Sequence, residues 1–295
     1  MECTEKMKTS KIAIIDIGSN SVRILYADGN FYNKELITTR LGEGLYASGV
    51  LSDTAIKRTV EGVKTLYKRA LDRGFEKVYA FATASVREAD NGLEFCKAVK
   101  KSVGLDVEVI NGDSEALLGV LGAVGCADGG IVDIGGASSE VAYQDGGEIV
   151  YRHSLNIGAV KIYDICGRDK DKVEEFLPPV ISKYPKFDGK DKTFYAIGGT
   201  ATTLANVALN LKTYDPQKVN GYIITYQKAV ELKNLLFSLS VEDIFKNYAV
   251  DSKRAEIIAG GASILVNIMQ KFNLQQVVVS EGDNLEGYAI YRGLL

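Results

Sequence analysis

The stretch that decides the fold is Lys11-Ile12-Ala13-Ile14-Ile15-Asp16-Ile17-Gly18-Ser19-Asn20-Ser21-Val22-Arg23. A β-branched run ending in Asp-Ile-Gly predicts a strand over Lys11 to Ile17, Gly18 to Asn20 offer turn chemistry, and Ser21 to Ala27 predicts the return strand. The device recurs from Gly130 onward as Ile131-Val132-Asp133-Ile134-Gly135-Gly136-Ala137-Ser138-Ser139, followed by strand-like Glu140 to Tyr143 and a further turn at Asp145-Gly146-Gly147. The two aspartates are 133 − 16 = 117 residues apart, so an internal duplication is the economical reading, each half opening with the same hairpin.

Working outward, the 295 residues correspond to about two domains at roughly 150 residues each. A composition of 46% hydrophobic and 25% charged residues is globular and excludes disordered or collagen-like chains. The net charge of −3 supplies no global basic field, so nucleic acid and anionic membranes are not expected partners, and any polyanion must be held by a local site. Cys3, Cys96, Cys126 and Cys166 are scattered without a C-x-x-C pair, which argues for reduced thiols rather than a zinc site or disulfide framework. His153 is the single histidine, more in keeping with a structural role than with catalysis. A polar N-terminus without an apolar core segment, and a longest apolar stretch (Leu117 to Ala127) that is short and glycine-interrupted, point to a cytoplasmic protein without a membrane span.

Between the two hairpins, Ser52 or Asp53 caps an amphipathic segment with Ile56, Val60, Val63, Tyr67, Ala70 and Leu71 on one stripe, stopped by Gly74. A strand over Lys77 to Ala82, a helix over Gly92 to Val103, a strand over Leu105 to Ile110 and a helix capped by Asp113 or Ser114 and opening with Glu115 follow. The second half predicts helices from about Asp169 to Tyr184, Tyr226 to Leu239, Asp251 to Phe272 and Leu285 to Arg292, with strands over Phe194 to Ile197 and Gln276 to Ser280. Strands alternating with helices indicate an α/β architecture.

Several strands end in Gly/Ser/Thr-rich turns: Asp16 to Ser21, Asp133 to Ser139, and Gly198-Gly199-Thr200. Glycine lets backbone N–H groups approach a ligand closely and hydroxyls add donors, a combination that suits phosphate oxygens. Asp16 and Asp133, each just before its loop, can hold Mg²⁺ or orient a metal-bound water. The plain alternative is a set of tight turns with a capping Asp; two matched copies and a third loop favour the site. Competing motifs fail: Gly42-Glu43-Gly44-Leu45-Tyr46-Ala47 lacks the strand–turn–helix of a dinucleotide site, no Walker A loop is present, and Gly136 to Glu140 lacks the closing Gly of a nucleophile elbow.

The chain resembles the exopolyphosphatase/guanosine pentaphosphate phosphatase family, within the actin, sugar kinase and Hsp70 superfamily. The matching stretches run in family order: Asp16 to Arg23, Arg40-Leu41-Gly42, Ala82 to Asn91, Gly112 to Ala116, Asp133 to Glu140, Gly158-Ala159-Val160, Ile197 to Thr200, Arg254 with Gly260-Gly261-Ala262, and Ser280 through Gly287. The resemblance implies an α/β fold of two actin-like (ribonuclease H-like) lobes, mixed sheets flanked by helices, with the active site in the cleft between them. It divides the chain into residues 1–118 plus 283–295, and 119–282.

The implied activity is Mg²⁺-dependent release of terminal orthophosphate from linear inorganic polyphosphate, with Mn²⁺ a possible substitute. Guanosine pentaphosphate is the alternative substrate, a non-catalytic polyphosphate or alarmone sensor the further alternative, and a homodimer the oligomer the resemblance allows. Its implied roles make Glu115 the base that activates water and have Asp133 and Glu140 hold Mg²⁺ or orient that water, with Asp16 a further candidate ligand. Phosphates would be gripped by Gly18, Ser19, Asn20, Ser21, Arg87, Gly135, Gly136, Ala137, Ser138, Gly198, Gly199 and Thr200.

Elementary chemistry agrees while leaving alternatives. A carboxylate in the first turn of a helix is favoured as a base by the dipole, and is also ordinary helix chemistry. Arg87 has the planar fork that suits phosphate, or it pairs with Glu88 or Asp90. Arg23 is equally an ion-pair partner or a ligand. Ala137 stands where the family usually has a third Gly, and Leu285 where an Arg is often seen before Glu286-Gly287. Longer relatives carry an extra helical region beyond the point where this chain stops, which argues against processivity on long chains and adds short polyphosphates to the substrates the resemblance allows.

Overall fold

The computed structural model describes residues 11–29 and 31–294; Cys3 and the polar N-terminal stretch lie outside the described residues. The first hairpin forms as the sequence predicts, β1 (Ile12–Ile17) pairing antiparallel with β2 (Ser21–Asp28) so that Asp16 faces Arg23. It continues into β3 (Phe31–Thr38), whose mixed polar and apolar residues gave no strand signal. Short α1 (Leu45–Ser48) and long α2 (Asp53–Asp72) lead to β4 (Lys77–Ala82), then α3 (Ala84–Glu88), α4 (Gly92–Val103), β5 (Glu108–Val109) and α5 (Gly112–Ala123). The five strands lie in the order β3-β2-β1-β4-β5.

The second half repeats the plan. β6 (Gly129–Ile134), β7 (Ser139–Asp145) and β8 (Glu148–Leu155) form a meander, and α6 (Ala159–Cys166) and α7 (Lys170–Ile181) precede β9 (Phe194–Ile197). After α8 (Gly198–Ala208), α9 (Pro216–Val219), β10 (Ile223–Thr225), α10 (Tyr226–Ser238), α11 (Val241–Asn247) and α12 (Ser252–Lys271) come β11 (Gln276–Val279) and α13 (Asn284–Tyr291). The order β8-β7-β6-β9-β11 matches β3-β2-β1-β4-β5 strand for strand, with the same antiparallel and parallel pairings and β10 added at the edge. The duplication read from two aspartates is thus a duplication of topology.

Several expectations are corrected. Only Glu108–Val109 of the 105–110 stretch pairs as strand, because β5 is an edge that meets β4 over two residues. Asn111, not Asp113 or Ser114, caps α5 by accepting the Ser114 N–H at 2.8 Å. Gly198-Gly199-Thr200 is the first turn of α8 rather than a loop; glycines suit both, and sequence alone does not separate them. The buried stripe of α2 runs through Ala55, Thr59, Val63, Leu66 and Ala70, with Ile56, Val60 and Tyr67 at its margin and Leu71 exposed.

After β11 in the second sheet, the chain crosses back, and α13 buries Leu285, Tyr288 and Ala289 against Ile12, Ile14, Leu25 and Phe81 of the first sheet. Leu285, fully buried there, fills an apolar core, so no cleft contact is expected of it. Glycine sets this crossing. A Cβ at Gly122 would lie 1.9 Å from the Asp283 carbonyl oxygen and one at Gly287 1.8 Å from that of Leu118, so α5 and α13 meet backbone to backbone. Among the described residues no helix is long and apolar enough to cross a membrane.

Candidate active site

The two hairpin turns close in the same way. The Gly18 N–H donates to the Ser21 carbonyl at 3.0 Å, and the Gly135 N–H donates to that of Ser138 at 3.0 Å. Four of their other carbonyls are engaged by neighbouring backbone. Asn20 accepts from the Thr39 and Arg40 N–H groups at 3.0 and 2.8 Å, Ser19 accepts from Gly42, and Gly135 and Gly136 accept from Ala159 and Val160 in the first turn of α6. Loops whose carbonyls are taken up by neighbouring backbone leave their N–H groups to form an anion nest. They also meet at contact distance: a Cβ on Gly136 would stand 2.7 Å from Ser19 Cβ.

Between them lies a cavity of about 90 Å³ lined by Asp16, Gly18 to Ser21, Glu115, Asp133, Gly135 to Ser138, Gly198 to Thr200 and Arg254, among others. Fourteen of the predicted site residues therefore share one cavity; Arg87 and Glu140 are not in its lining. Glu140 is almost completely buried beside Asp133, its cross-strand partner. Arg87 stands behind Glu115: its Nη1 donates to Glu115 Oε2 at 3.2 Å and to the Ile110 carbonyl at 2.8 Å. It also lines an outer opening that shares Glu88 and Asn156 with the cavity beside Gly136 and Ala137; neither Glu88 nor Asp90 is its partner in these bonds, and what it holds is the Glu115 carboxylate. Thr200 spends its hydroxyl on the Ile134 carbonyl at 2.7 Å, leaving backbone as what it can offer a ligand.

Offset by the same 117 residues, Asp16–Arg23 and Asp133–Glu140 are equivalent rungs, a cation in one copy and a carboxylate in the other. Arg23 Nε bonds Asp16 at 3.0 Å and its Nη1 bonds Asp283 at 2.5 Å, so it is an ion-pair residue at the cavity wall. Asp16 Oδ1 keeps no partner. In the second copy, Asn284 Nδ2 donates to Asp133 Oδ2 at 3.0 Å, and a Cβ at Gly198 (φ 73°) would come 2.6 Å from Asp133 Oδ1. Glycine is therefore required where α8 starts, both for backbone conformation and for access to the aspartate.

Burial dominates the electrostatics. It pushes Glu115 up to about 8, partly offset by Arg87, and Asp133 up to about 7, partly offset by Arg23. Glu140 is raised well above the ordinary range by burial and by the charges of Glu115 and Asp133. Burial also opposes ionisation of Asp283, yet Arg23 and Lys34 overcome it and hold that carboxyl at about 2. Burial raises Asp16 as well, against the pull of Arg23, so four carboxyls in or beside one cavity are kept from ionising easily, an arrangement that a cation or a transferred proton would relieve.

Sequence reasoning placed Arg254 in a matching stretch without a role. The structure puts its half-buried guanidinium in the cavity wall over Gly199, with a 3.4 Å bond to Thr203 Oγ1 and a distant Asp251 at 3.9 Å. Asn284 had no signal of its own, because its partner is 151 residues away. The side-chain amide of Asn20, buried at the cavity, has neither atom bonded. His153 lies on β8 with its ring edge-on to Tyr184 at 5.7 Å, outside the main cavity. Cys96 and Cys166 are free thiols.

The model of the Ppx/GppA phosphatase family matches residues 30–293. The phosphatase-containing bifunctional 3-dehydroquinate synthase/phosphatase of Fusobacterium nucleatum is 29% identical over 96% of this chain and 46% of its own length, so the chain spans about half of that protein. Exopolyphosphatase 2 of Mycobacterium tuberculosis is 27% identical over 96% of this chain and 99% of its own. Among solved structures, the Aquifex aeolicus Ppx/GppA family member superposes with a TM-score of 0.76 at 29% identity, covering 97% of this chain and 98% of that one.

Proposed function

The chain belongs to the Ppx/GppA phosphatase family, and from that premise we propose that it releases orthophosphate from the end of a linear polyphosphate. The observation that carries this reading is the facing pair of glycine hairpins with Glu115 in the wall of the small cavity between them. At about 90 Å³ the cavity falls well below the roughly 300–1,000 Å³ of ordinary small-molecule pockets, which suits one terminal phosphate better than a nucleoside. An adjoining cavity of about 300 Å³ shares Gly136 and Ala137 and carries Lys161, a route for the next phosphates of a chain.

In the proposed reaction, backbone N–H groups of both hairpins and Arg254 hold the oxygens of the terminal phosphate. Glu115, turned by Arg87, accepts a proton from the water that attacks phosphorus; the bond to the bridging oxygen breaks and the shortened chain leaves with that oxygen. Such transfer asks mainly for positioning and charge neutralisation. The lobes divide as residues 1–118 with 283–295, and 119–282.

Among the described residues no group of three or more His, Cys, Asp or Glu side chains forms a ready-made metal cage. Mg²⁺ fits that pattern, since it retains waters and is bound by one or two carboxylates together with phosphate oxygens. Asp133 and Glu140, whose Oε2 has no partner, are the residues that would hold it; Asp16, whose Oδ1 is also unpartnered but whose Oδ2 is taken up by the Arg23 ion pair, is the weaker candidate. When bound, the ion supplies neutralisation of the phosphate charge.

The test is orthophosphate release from polyphosphates of defined length with Mg²⁺ or Mn²⁺, run beside guanosine pentaphosphate. Faster release from short polyphosphate supports the reading. Preference for guanosine pentaphosphate transfers the assignment to that substrate, and tight binding without release makes the protein a sensor.

A further inference from the structure

The carboxylate rung of the second sheet extends one strand further than the hairpin. Asp133 on β6 faces Glu140 on β7, and Glu140 in turn faces Ser154 on β8, so the three side chains stand abreast on one face of the sheet. Directly opposed residues on neighbouring strands are close enough to interact. Here they do, the Ser154 hydroxyl donating to Glu140 Oε1 at 2.7 Å. Glu140 Oε2, fully buried, is left without a partner, while Ser138 lies near enough to favour the charged form as well.

The first sheet offers an internal comparison. Its equivalent rung reads Asp16, Arg23, Leu36. There the middle residue is itself the counter-cation and the third, exposed Leu36, takes no part in polar bonding. Where the middle residue is a carboxylate, the third position carries a hydroxyl. Its placement is also fixed from above, for a Cβ on Gly112 would lie 2.6 Å from both Cβ and Oγ of Ser154. The N-terminal residue of α5, the helix that carries Glu115, is therefore seated on Ser154.

We propose that Ser154 is a positioning residue that holds one oxygen of Glu140 and so presents the other, next to Asp133, to the divalent cation. The inference rests on the metal reading given above. Outer partners of this kind orient ligating groups, and their loss costs roughly 10–100-fold in metal affinity.

The experiment follows binding of Mn²⁺ to the full chain by the electron paramagnetic resonance signal of the free ion, with and without orthophosphate. Ser154→Ala should weaken binding by about tenfold or more, with the melting temperature of the metal-free protein close to wild type. Ser154→Thr, which keeps the hydroxyl, should bind as wild type. In a Glu140→Gln background, Ser154→Ala should add no further loss, which a merely structural serine would not produce. Should the alanine variant fail to fold, Ser154→Cys, a weak donor, is read in its place. Equal Mn²⁺ affinity for wild type and Ser154→Ala overturns the proposal and leaves the metal reading standing. Absence of Mn²⁺ binding by wild type removes both.

Discussion

Replacing Glu115 by Gln should stabilise the metal-free protein at alkaline pH and leave it unchanged in acid. Burial raises this carboxyl from 4.5 to about 8. At 1.36 kcal/mol per pKa unit, the shift corresponds to ~5 kcal/mol, and relaxation around a buried charge leaves about half of it, ~2–3 kcal/mol. The sign follows from protonation in each state. Below about pH 4.5 the group is protonated both folded and unfolded and contributes nothing. Between 4.5 and about 8 the unfolded chain releases the proton first, so the folded state loses stability as pH rises, and above about 8 the loss is complete. Gln cannot ionise and escapes it. At ~2–4 °C per kcal/mol, the variant should melt roughly 5–10 °C above wild type at pH 8.5 in chelator, and level with it at pH 4.5. Scanning calorimetry of both proteins across that range measures the difference. A variant that melts level with or below wild type at pH 8.5 would mean that Arg87 keeps Glu115 ionised at little cost, and the burial argument would be wrong.

Three further outcomes follow from the cleft. Gly136→Ala places a methyl 2.7 Å from Ser19 Cβ and 3.2 Å from the Asn20 nitrogen; spreading the two loops should cost ~10–100-fold in kcat with little change in melting, and unchanged turnover would show that their contact is incidental. Asn284→Leu removes a donor to the Asp133 carboxylate, which disfavours the ionised form, so the acidic limb of kcat/KM should move up by ~1–2 pH units; a fixed limb refutes the role. Arg40, held at φ 50°, reaches across the cleft to Glu256 on α12; Arg40→Ala should raise the radius of gyration in small-angle scattering and raise KM, and an identical scattering curve would show that other contacts hold the lobes together.

How far the sequence was legible depends on whether a feature is local. The hairpins announce themselves because alternation, β-branching and turn residues lie within a dozen positions, and their repetition at Asp133 doubled the signal. Gly104 ended its helix as expected, in left-handed backbone at φ 74°. Glu115 could be named from its place near a helix start, although the capping residue was misjudged because Asn111, Asp113 and Ser114 are all competent caps. What stayed hidden is what long-range packing decides. Arg87 could have met either neighbouring carboxylate, and only the approach of α5 to α3 assigns it to Glu115, 28 residues on. Arg23 could have been a ligand until α13 returned to set Asp283 beside it, 260 residues away. The strand β3 escaped because an edge strand exposed on one face needs little apolar residue, and α8 escaped because a glycine-rich loop and a glycine-led helix start share composition.

In the proposed reaction everything turns on Glu115 activating the water that cleaves the terminal phosphoanhydride. The most direct measurement is orthophosphate released from a short linear polyphosphate by wild type and by Glu115→Gln in the presence of Mg²⁺, with polyphosphate binding to both measured by calorimetry. Wild type should release orthophosphate steadily and the variant at least ~100-fold more slowly, with binding retained. Equal release by the two proteins would contradict that role.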